Sequence, residues 1–305
     1  MPGHPVFLLR DLDARPFPGI PLAVLGHPIA HSLSPPMHQA ALLAMAREDT
    51  RLADWRYHRF DIHPDDLPTA LDRLHSGGFR GLNLTVPHKV LAFDLVAEVD
   101  PAAEAVGAVN TLLATAKGWY GTNTDGYGLN AALRERLGAD LAGRVVVLLG
   151  AGGAARGAAV ECLRRGCARL VVGNRTAANL AELLALLQPL AGAIPVLGFD
   201  PADPQARAGL PADALVINAT SAGLRADDAA PLDLADVPRP AGIFDMIYHP
   251  PQTALLRQAA ALGIPQANGL AMLVHQGAKS LELWSGVPAE AIAPLMASAL
   301  ALRSP

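Results

Sequence analysis

The 305-residue sequence has few cysteines, few aromatic residues and no excess of basic residues. Its two cysteines, Cys162 and Cys167, have no neighbouring cysteine or histidine cluster that would complete a zinc pattern. We therefore predict no metal site, and two small buried thiols in a reducing compartment rather than a disulfide-stabilised scaffold. A net charge of −4 gives no general attraction to nucleic acid or to acidic membranes.

Long hydrophobic runs are also missing. No apolar stretch reaches the ~18 residues that a membrane-spanning helix needs. Residues 1–7 lack a basic segment followed by a long apolar core, so we expect no signal peptide and a cytoplasmic location. The hydrophobic content is nevertheless 51% and the charged content 17%, so large cores can form, and the length predicts roughly two domains.

A glycine-rich turn lies in the middle of the chain, between the apolar run 145–149 and the helix-forming stretch 156–164. A glycine turn in this context binds pyrophosphate, because glycines allow close backbone approach and a helix N-terminus offers free N–H donors. We therefore predict a dinucleotide site here rather than an ordinary tight turn. Its residues are Gly150, Ala151, Gly152, Gly153, Ala154 and Ala155. About 140 residues precede the turn, enough for a domain that binds something other than the cofactor.

The chain after the turn alternates short apolar segments with helix-forming segments, which predicts a parallel, doubly wound sheet of Rossmann type. The predicted strands are 145–149, 170–172, 195–198, 214–218 and 242–246. The predicted helices are 125–137, which leads into this domain, and 155–164, 177–187 and 253–262. Residues 200–212 and 225–240 are predicted to be loops. The stretch 270–302 is predicted to be helical, and its pattern leaves open which domain it completes.

The first part of the chain also mixes the two patterns, which predicts an N-terminal α/β domain. Its predicted strands are 22–26, 55–60, 81–86 and the hairpin 112–114 with 119–122. Its predicted helices are 36–46, 65–74 and 88–97. Residues 1–20 show no periodicity and are predicted to be irregular.

The residues after the second strand of the Rossmann domain indicate NADP(H) rather than NAD. A site specific for NAD has an acidic residue near this point, which binds the ribose hydroxyls. This chain has Asn174, Arg175 and Thr176 instead. A guanidinium suits a 2′-phosphate through charge-assisted hydrogen bonds, which favours this role over a solvated surface arginine. The later segment around Thr220, residues 218–223, fits either the ligand crevice or an ordinary small-residue turn.

Four polar clusters occur in the first domain, in loops or at strand ends. They are Ser32 with Ser34, Thr85 with Lys89, Asn110 with Thr111, and Asn123 with Asp125. An enzyme that transfers a hydride to a carbonyl needs a proton carrier beside it, and Lys89 and Asp125 can supply one. Taken one at a time, the same residues fit a surface lysine, a helix cap and a serine turn with an N-cap.

Together the clusters resemble the signatures of the shikimate dehydrogenase family, in the same order. The segments that carry the resemblance are 26–35 (GHPIAHSLSP), 83–89 (NLTVPHK), 107–111 (GAVNT), 123–126 (NTDG), 150–156, 174–176, 218–221 and 272–276 (MLVHQ). The resemblance implies reversible reduction of 3-dehydroshikimate to shikimate by NADPH, in aromatic amino acid biosynthesis. Quinate and aminoshikimate dehydrogenases of the same superfamily are the alternatives, and a non-catalytic NADP(H) sensor is less favoured.

The resemblance also implies roles for individual residues. Ser32 and Ser34 hold the substrate carboxylate, and Lys89 and Asp125 form the catalytic pair while also binding substrate. The other substrate-binding residues are Thr85, Asn110, Tyr248 and Gln276. The cofactor-binding residues are the glycine turn, residues 174–176, and three further residues, Thr220, Met246 and Gly269.

By the same resemblance, residues 1–124 with 270–305 form the substrate-binding catalytic domain and residues 125–269 the NADP-binding domain. The expected partners are small molecules only, with neither nucleic acid nor membrane, and the chain is expected to be a monomer or a homodimer. One position departs from the family. Many NADP-using members have a second arginine where this chain has Asn179, so the phosphate would depend on Arg175, with Asn174 and Thr176 as donors.

Overall fold

The chain folds into two compact units, one comprising residues up to Thr124 together with those from Val274 onward, and the other Asp125–Leu273. The computed structural model describes residues 5–14, 16–225 and 227–301, apart from the side chain of Ala102. Some predictions also include residues 1–4, 15, 226 and 302–305, which lie outside the described residues. Within the described ranges, no helix combines the length and the apolar character needed to cross a membrane.

The first unit is built on a seven-stranded mixed sheet in the order β1-β3-β2-β4-β6-β7-β5. The strands are β1 (Phe7–Leu8), β2 (Ile20–Gly26), β3 (Trp55–Asp61), β4 (Gly81–Leu84), β5 (Glu98–Val99), β6 (Thr111–Thr115) and β7 (Gly118–Thr122). Strand β6 is antiparallel to both β4 and β7, which confirms the predicted hairpin. Strands β2 and β4 are parallel neighbours, so the loops that follow them leave the sheet at the same edge.

Helices pack on this sheet through their apolar faces. They are α1 (Asp11–Ala14), α2 (Ser34–Met45), α3 (Leu67–Ser76), α4 (His88–Leu91) and α5 (Pro101–Val106), with short 3-10 turns at Thr50–Leu52, Pro64–Asp66 and Ala92–Asp94. In α3 the buried residues Leu67, Leu71 and Leu74 recur at the spacing of one helix face. They join a core that includes Phe60 and Phe79.

The second unit has a six-stranded parallel sheet in the order β10-β9-β8-β11-β12-β13, the strand order of a doubly wound dinucleotide-binding fold. Its strands are β8 (Val145–Leu149), β9 (Arg169–Gly173), β10 (Val196–Phe199), β11 (Leu215–Asn218), β12 (Gly242–Asp245) and β13 (Gln266–Asn268). Its helices are α6 (Asp125–Leu137), α7 (Gly153–Arg164), α8 (Ala177–Ala191), α9 (Pro204–Ala208) and α10 (Ala254–Ala261), with a 3-10 turn at Leu234–Asp236. The predicted fold class is confirmed.

The C-terminal stretch forms two helices, α11 (Leu270–Ser285) and α12 (Ala289–Ala301), where the sequence predicted a single helical region. Helix α12 packs against α2. The indole nitrogen of Trp284 donates to the Leu112 carbonyl oxygen at 3.0 Å. From Val274 onward the chain therefore builds the first unit.

Three local predictions are wrong. Residues 1–20 are not wholly irregular, because Phe7 and Phe17 pack edge to face at 5.2 Å and bring β1 alongside β3. The helix predicted at 88–97 ends at Leu91 and continues as a 3-10 turn before β5. The segment 200–212 contains α9, whose N-cap carboxylate on Asp203 accepts from the Gln205 N–H at 2.8 Å.

Candidate active site

The glycine turn joins β8 to α7. Gly150 has φ +114°, and a Cβ there would lie 3.0 Å from the Ala219 carbonyl oxygen, so the turn requires glycine. Gly152 is the N-cap of α7 without a side-chain cap, and no heavy atom lies within 4 Å of a Cβ built at Gly152 or Gly153. Backbone N–H groups at a helix N-terminus are thus open to a ligand. Ala151 and Ala154 are partly or fully exposed, whereas Ala155 is buried. These features fit a bound pyrophosphate.

The loop after β9 carries an exposed cation. The Asn174 side chain donates to the Thr176 carbonyl oxygen at 2.9 Å, which shapes the turn, and Arg175 and Thr176 are exposed. No acidic residue occurs from 173 to 181. Such a loop can bind a 2′-phosphate without like-charge repulsion. Asn179, in the first turn of α8, is exposed.

Two buried residues to which the sequence reasoning assigned no role hold the loops after β11 and β12. The Asn218 amide donates to the Asp245 carboxylate at 3.0 Å, and its oxygen accepts from the Thr220 hydroxyl at 2.7 Å. Asp245 also accepts from the Thr253 hydroxyl at 2.7 Å. Burial raises the pKa of the Asp245 carboxyl, against the hydrogen bonds that lower it. The signal was present in the sequence, since each polar residue ends an apolar strand at its carboxyl end.

The structure also brings Met246 and Gly269 together. A Cβ at position 269 would lie 2.1 Å from the Met246 carbonyl oxygen, so only glycine permits this approach. The Met246 N–H donates to the Asn218 carbonyl oxygen at 3.0 Å, which connects this pair to the Thr220 loop. Tyr248 follows shortly after and is partly buried, and burial raises the pKa of its phenol. Tyr248 is therefore a hydrogen-bond donor at neutral pH.

In the first unit, the serine loop and the Thr85–Lys89 segment lie side by side. The His27 N–H donates to the Val86 carbonyl oxygen at 3.2 Å, and the Thr85 N–H donates to the Leu25 carbonyl oxygen at 2.9 Å. These bonds extend the pairing of β2 and β4 into the loops that follow them. Parallel pairing thus places the first two predicted clusters at one sheet edge.

The two serines differ in environment. Ser34 is buried and is the first residue of α2, whose N-cap is Leu33 without a side-chain cap. The alternative in which Ser34 is the N-cap is therefore wrong. The Ser32 hydroxyl accepts from the Ser34 N–H at 3.3 Å. Two hydroxyls at the start of a helix suit an anionic group such as a carboxylate.

Asn110 is buried with a fixed amide orientation. Its side-chain oxygen accepts from the Thr124 N–H at 2.8 Å and from the Thr111 hydroxyl at 2.9 Å. A backbone N–H can only donate, so this atom must be the oxygen. The amide nitrogen then lies 3.5 Å from Gln276 Oε1. Thr124 directly precedes Asp125, the first residue of α6, so these bonds also fix the chain that carries Asp125.

Lys89 lies in α4 and is partly buried. Its carbonyl oxygen accepts from the Val109 N–H at 2.9 Å, which holds α4 beside the Asn110 segment. The preceding residue, His88, is buried, and its Nε2 lies 2.9 Å from the Ile62 carbonyl oxygen. Burial lowers the pKa of His88, which favours a neutral anchor for the helix. Among the described residues, no three His, Cys, Asp or Glu side chains are grouped to hold a metal ion.

His38 makes stability depend on pH. Its ring is fully buried with Nδ1 2.8 Å from the Ser34 carbonyl oxygen, and burial lowers its pKa from 6.5 to about 4. As the pH falls below the ordinary value, the unfolded chain takes up a proton that the folded protein does not. We expect this site to reduce the free energy of unfolding by about 2 kcal/mol between pH 7 and pH 5.

Urea unfolding at the two pH values measures this effect. His38→Gln should lose less stability than the parent on acidification, and the exposed His31→Gln should behave like the parent. Equal losses in all three proteins would contradict the prediction.

Two family models match the chain. The shikimate dehydrogenase substrate binding domain matches residues 24–112, and the shikimate 5′-dehydrogenase C-terminal domain matches residues 269–300. A shikimate dehydrogenase (NADP(+)) from Citrifermentans bemidjiense is 42% identical over 285 residues, which cover 92% of this chain and 94% of that protein. The chain belongs to the shikimate dehydrogenase family.

Solved structures agree with this assignment. Shikimate 5-dehydrogenase from Thermus thermophilus, in complex with NADP(H) and shikimate, is 34% identical with a TM-score of 0.76, over 92% of this chain and 99% of that one. The 5-ketofructose reductase of Gluconobacter sp. strain CHM43 is 31% identical with a TM-score of 0.77, over the same shares. As a member of the shikimate dehydrogenase family, the chain is an NADP-dependent oxidoreductase that acts on a CH–OH group. The predicted family, enzyme class and cofactor are confirmed.

Proposed function

We propose that the protein catalyses the reversible, NADPH-dependent reduction of 3-dehydroshikimate to shikimate in aromatic amino acid biosynthesis. One observation carries the proposal. The serine loop and the Thr85–Lys89 segment lie together at one edge of the sheet, and Lys89 is held beside the Asn110 segment. This arrangement occurs in a chain 42% identical to a curated shikimate dehydrogenase. A hydroxylated carboxylic acid needs this combination of carboxylate-binding hydroxyls, amide groups and a proton carrier.

The substrate is bound mainly by the first unit. Ser32 and Ser34 donate hydroxyl hydrogen bonds to the carboxylate, next to the N-terminus of α2. Polar side chains then surround the ring hydroxyls and the ketone. They are Thr85, Asn110, Gln276 and Tyr248. In this proposal residues 1–124 with 270–305 are the substrate domain and residues 125–269 the NADP domain.

The chemistry requires one hydride and one proton. NADPH, when bound, supplies the hydride to the ketone carbon. The Lys89–Asp125 pair holds the proton that the ketone oxygen takes up, and the Lys89 ammonium polarises the carbonyl as negative charge develops on that oxygen. In the reverse direction the pair receives the proton of the substrate hydroxyl.

The cofactor is held by backbone and side-chain groups of the second unit. The turn from Gly150 to Ala155 would hold the pyrophosphate, because the N-terminus of α7 begins there and has no side-chain cap on its N–H groups. Arg175 binds the 2′-phosphate, with Asn174 and Thr176 as further donors. Thr220, Met246 and Gly269 would contact the nicotinamide, and hydrogen bonds with Asn218 hold Thr220 and Met246 in position.

The partners and location follow from composition. With a net charge of −4 and no charge run, the protein acts on small molecules rather than on nucleic acid. Cys162 and Cys167 are both free and buried, which fits the reducing cytoplasm. We propose a monomer or a homodimer.

An activity panel tests the proposed function. We expect kcat/KM to be highest for shikimate with NADP, at least about tenfold above the values for quinate and for 5-ketofructose. A substrate that does not match the site leaves a buried polar group of the protein unpaired, which costs on the order of 1–3 kcal/mol. The panel measures initial rates for shikimate and quinate with NADP and with NAD, and for 5-ketofructose with NADPH. A higher kcat/KM for quinate with NAD, or for 5-ketofructose, would overturn the proposed substrate.

A further inference from the structure

A closed set of uncharged polar side chains lies beneath the substrate residues of the first unit. We call it the Ser280 network, and its members are Tyr57, Asn83, Thr111, Thr124 and Ser280. All are buried, with Thr111 and Ser280 fully inaccessible. Because buried polar groups are costly when unpaired, a network of this size in a core needs complete hydrogen bonding.

Tyr57 is the first donor in the chain of hydrogen bonds that forms the network. Its hydroxyl donates to Asn83 Oδ1 at 2.7 Å, and burial raises the pKa of this phenol well above its usual value, so the proton stays on Tyr57. Tyr57 is also stacked on His38 with 4.0 Å between ring centroids. The other atom of the Asn83 amide lies 3.3 Å from the Asn110 carbonyl oxygen, which can only accept, so this atom is Nδ2 and donates to the rest of the network.

Ser280 lies where the bonds converge. Asn83 Nδ2 donates to its hydroxyl oxygen at 2.9 Å, and Thr111 Oγ1 and Thr124 Oγ1 lie 2.7 Å and 3.2 Å from it. Its single proton has two acceptors within reach, the Gln276 carbonyl oxygen at 3.0 Å and the Thr111 hydroxyl oxygen. One hydroxyl therefore contacts three other side chains that come from separate parts of the chain.

Thr111 and Thr124 connect Ser280 to Asn110. Their hydroxyls lie 2.9 Å and 3.2 Å from Asn110 Oδ1, in addition to the N–H of Thr124. The amide nitrogen lies 3.1 Å from the Thr124 hydroxyl oxygen and 3.5 Å from Gln276 Oε1. Asn110 therefore offers N–H rather than C=O on the side of Gln276.

We propose that Ser280 is a positioning residue for substrate binding, which acts by fixing the Thr111 and Thr124 hydroxyls and thereby the amide of Asn110. The inference rests on the proposed function, in which Asn110 contacts a ring hydroxyl. The substrate hydroxyl is then the acceptor in its bond with Asn110. Without the Ser280 hydroxyl, the threonine hydroxyls and Asn83 lose a common partner, and the Asn110 oxygen is held firmly only by the Thr124 N–H.

Ser280→Ala tests the proposal, with Ser285→Ala as the matched control. Both serines lie on α11 and both hydroxyls lie within reach of a carbonyl oxygen four residues earlier, at 3.0 Å for Ser280 and 2.7 Å for Ser285, but Ser285 lies outside the network. We expect Ser280→Ala to raise the KM for shikimate about tenfold while kcat and the KM for NADP change much less. Ser285→Ala should match the parent.

A double variant separates positioning from a general structural effect. If Ser280 acts through Asn110, Asn110→Ala with Ser280→Ala should have the same KM for shikimate as Asn110→Ala alone. Should Ser280→Ala fail to fold by circular dichroism, Ser280→Cys provides the measurement, with a smaller rise in KM because a thiol is a weak donor and acceptor. An unchanged KM in the folded variant, or multiplying effects in the double variant, would overturn the inference alone. No shikimate turnover in the parent would overturn the proposed function and with it the inference.

Discussion

Replacement of Lys89 by alanine is expected to lower kcat for shikimate oxidation by roughly 10²- to 10⁴-fold, the contribution of a positioned proton carrier. The position of Lys89 supports this expectation. Its helix is held by the Val109 N–H beside the Asn110 segment, and its side chain is only partly exposed. Because proton transfer and charge stabilisation occur in the transition state, the loss should fall on kcat far more than on the KM for shikimate.

Steady-state kinetics of Lys89→Ala and Lys117→Ala measure this effect. Lys117 is an exposed lysine in the turn between β6 and β7, and it forms an ion pair with Glu98. Its replacement removes a positive charge from the same unit without changing a residue of the proposed site. The binding of NADP, measured by fluorescence, should be unchanged in both variants. Near-normal turnover by Lys89→Ala would refute its catalytic role.

Replacement of Arg175 by alanine is expected to raise the KM for NADP by about 10- to 100-fold, since hydrogen bonds to a charged group contribute about 1.5–3 kcal/mol. The loss should be large because the structure provides no second arginine at the expected place, where Asn179 stands. The KM for NAD should change little, since NAD lacks the 2′-phosphate. The cofactor preference should therefore narrow or disappear.

Arg169→Ala is the control for this experiment. Arg169 is exposed at the start of β9, whereas Arg175 lies in the loop that follows the end of this strand, so both variants lose one positive charge but only Arg175→Ala loses it at the proposed cofactor site. Kinetics with both cofactors give the comparison. Equal losses with NADP and NAD in Arg175→Ala would show that the guanidinium contacts a part that the two cofactors share, contrary to the proposal.

The fold of the second unit could be predicted well from the sequence because four of its strands, β8, β9, β11 and β12, are almost wholly buried and mostly apolar. Strand β8, for example, is a run of five valines and leucines bounded by a glycine turn. Strand β13 was not predicted, because Gln266–Asn268 is short and mostly polar and is a strand only through its pairing with β12. Strand β1 likewise depends on aromatic packing by Phe7 and Phe17, which no local pattern contains.

In the candidate site, too, some residues could be predicted from local sequence and others could not. Ser32, Lys89 and Arg175 were predicted because they stand in motifs at strand ends, where local sequence and position in the fold go together. The hydrogen bond between Ser280 and Asn83 was not predicted, because the two residues are 197 apart in the sequence and meet only in the folded chain. The residues next to Ser280 and Asn83 in the sequence do not show that these two polar side chains are buried rather than exposed.

No side chain of the Ser280 network is charged near neutral pH, and this has a consequence for kinetic measurements. Its members are a phenol that keeps its proton, an amide and three hydroxyls, all shielded from solvent. Neither added salt nor a change of pH near neutrality alters the strength of such bonds. Any dependence of shikimate affinity on ionic strength or pH in that range therefore originates in the charged groups that meet the substrate, and kinetic pH profiles can be assigned to those groups without a correction for the framework beneath them.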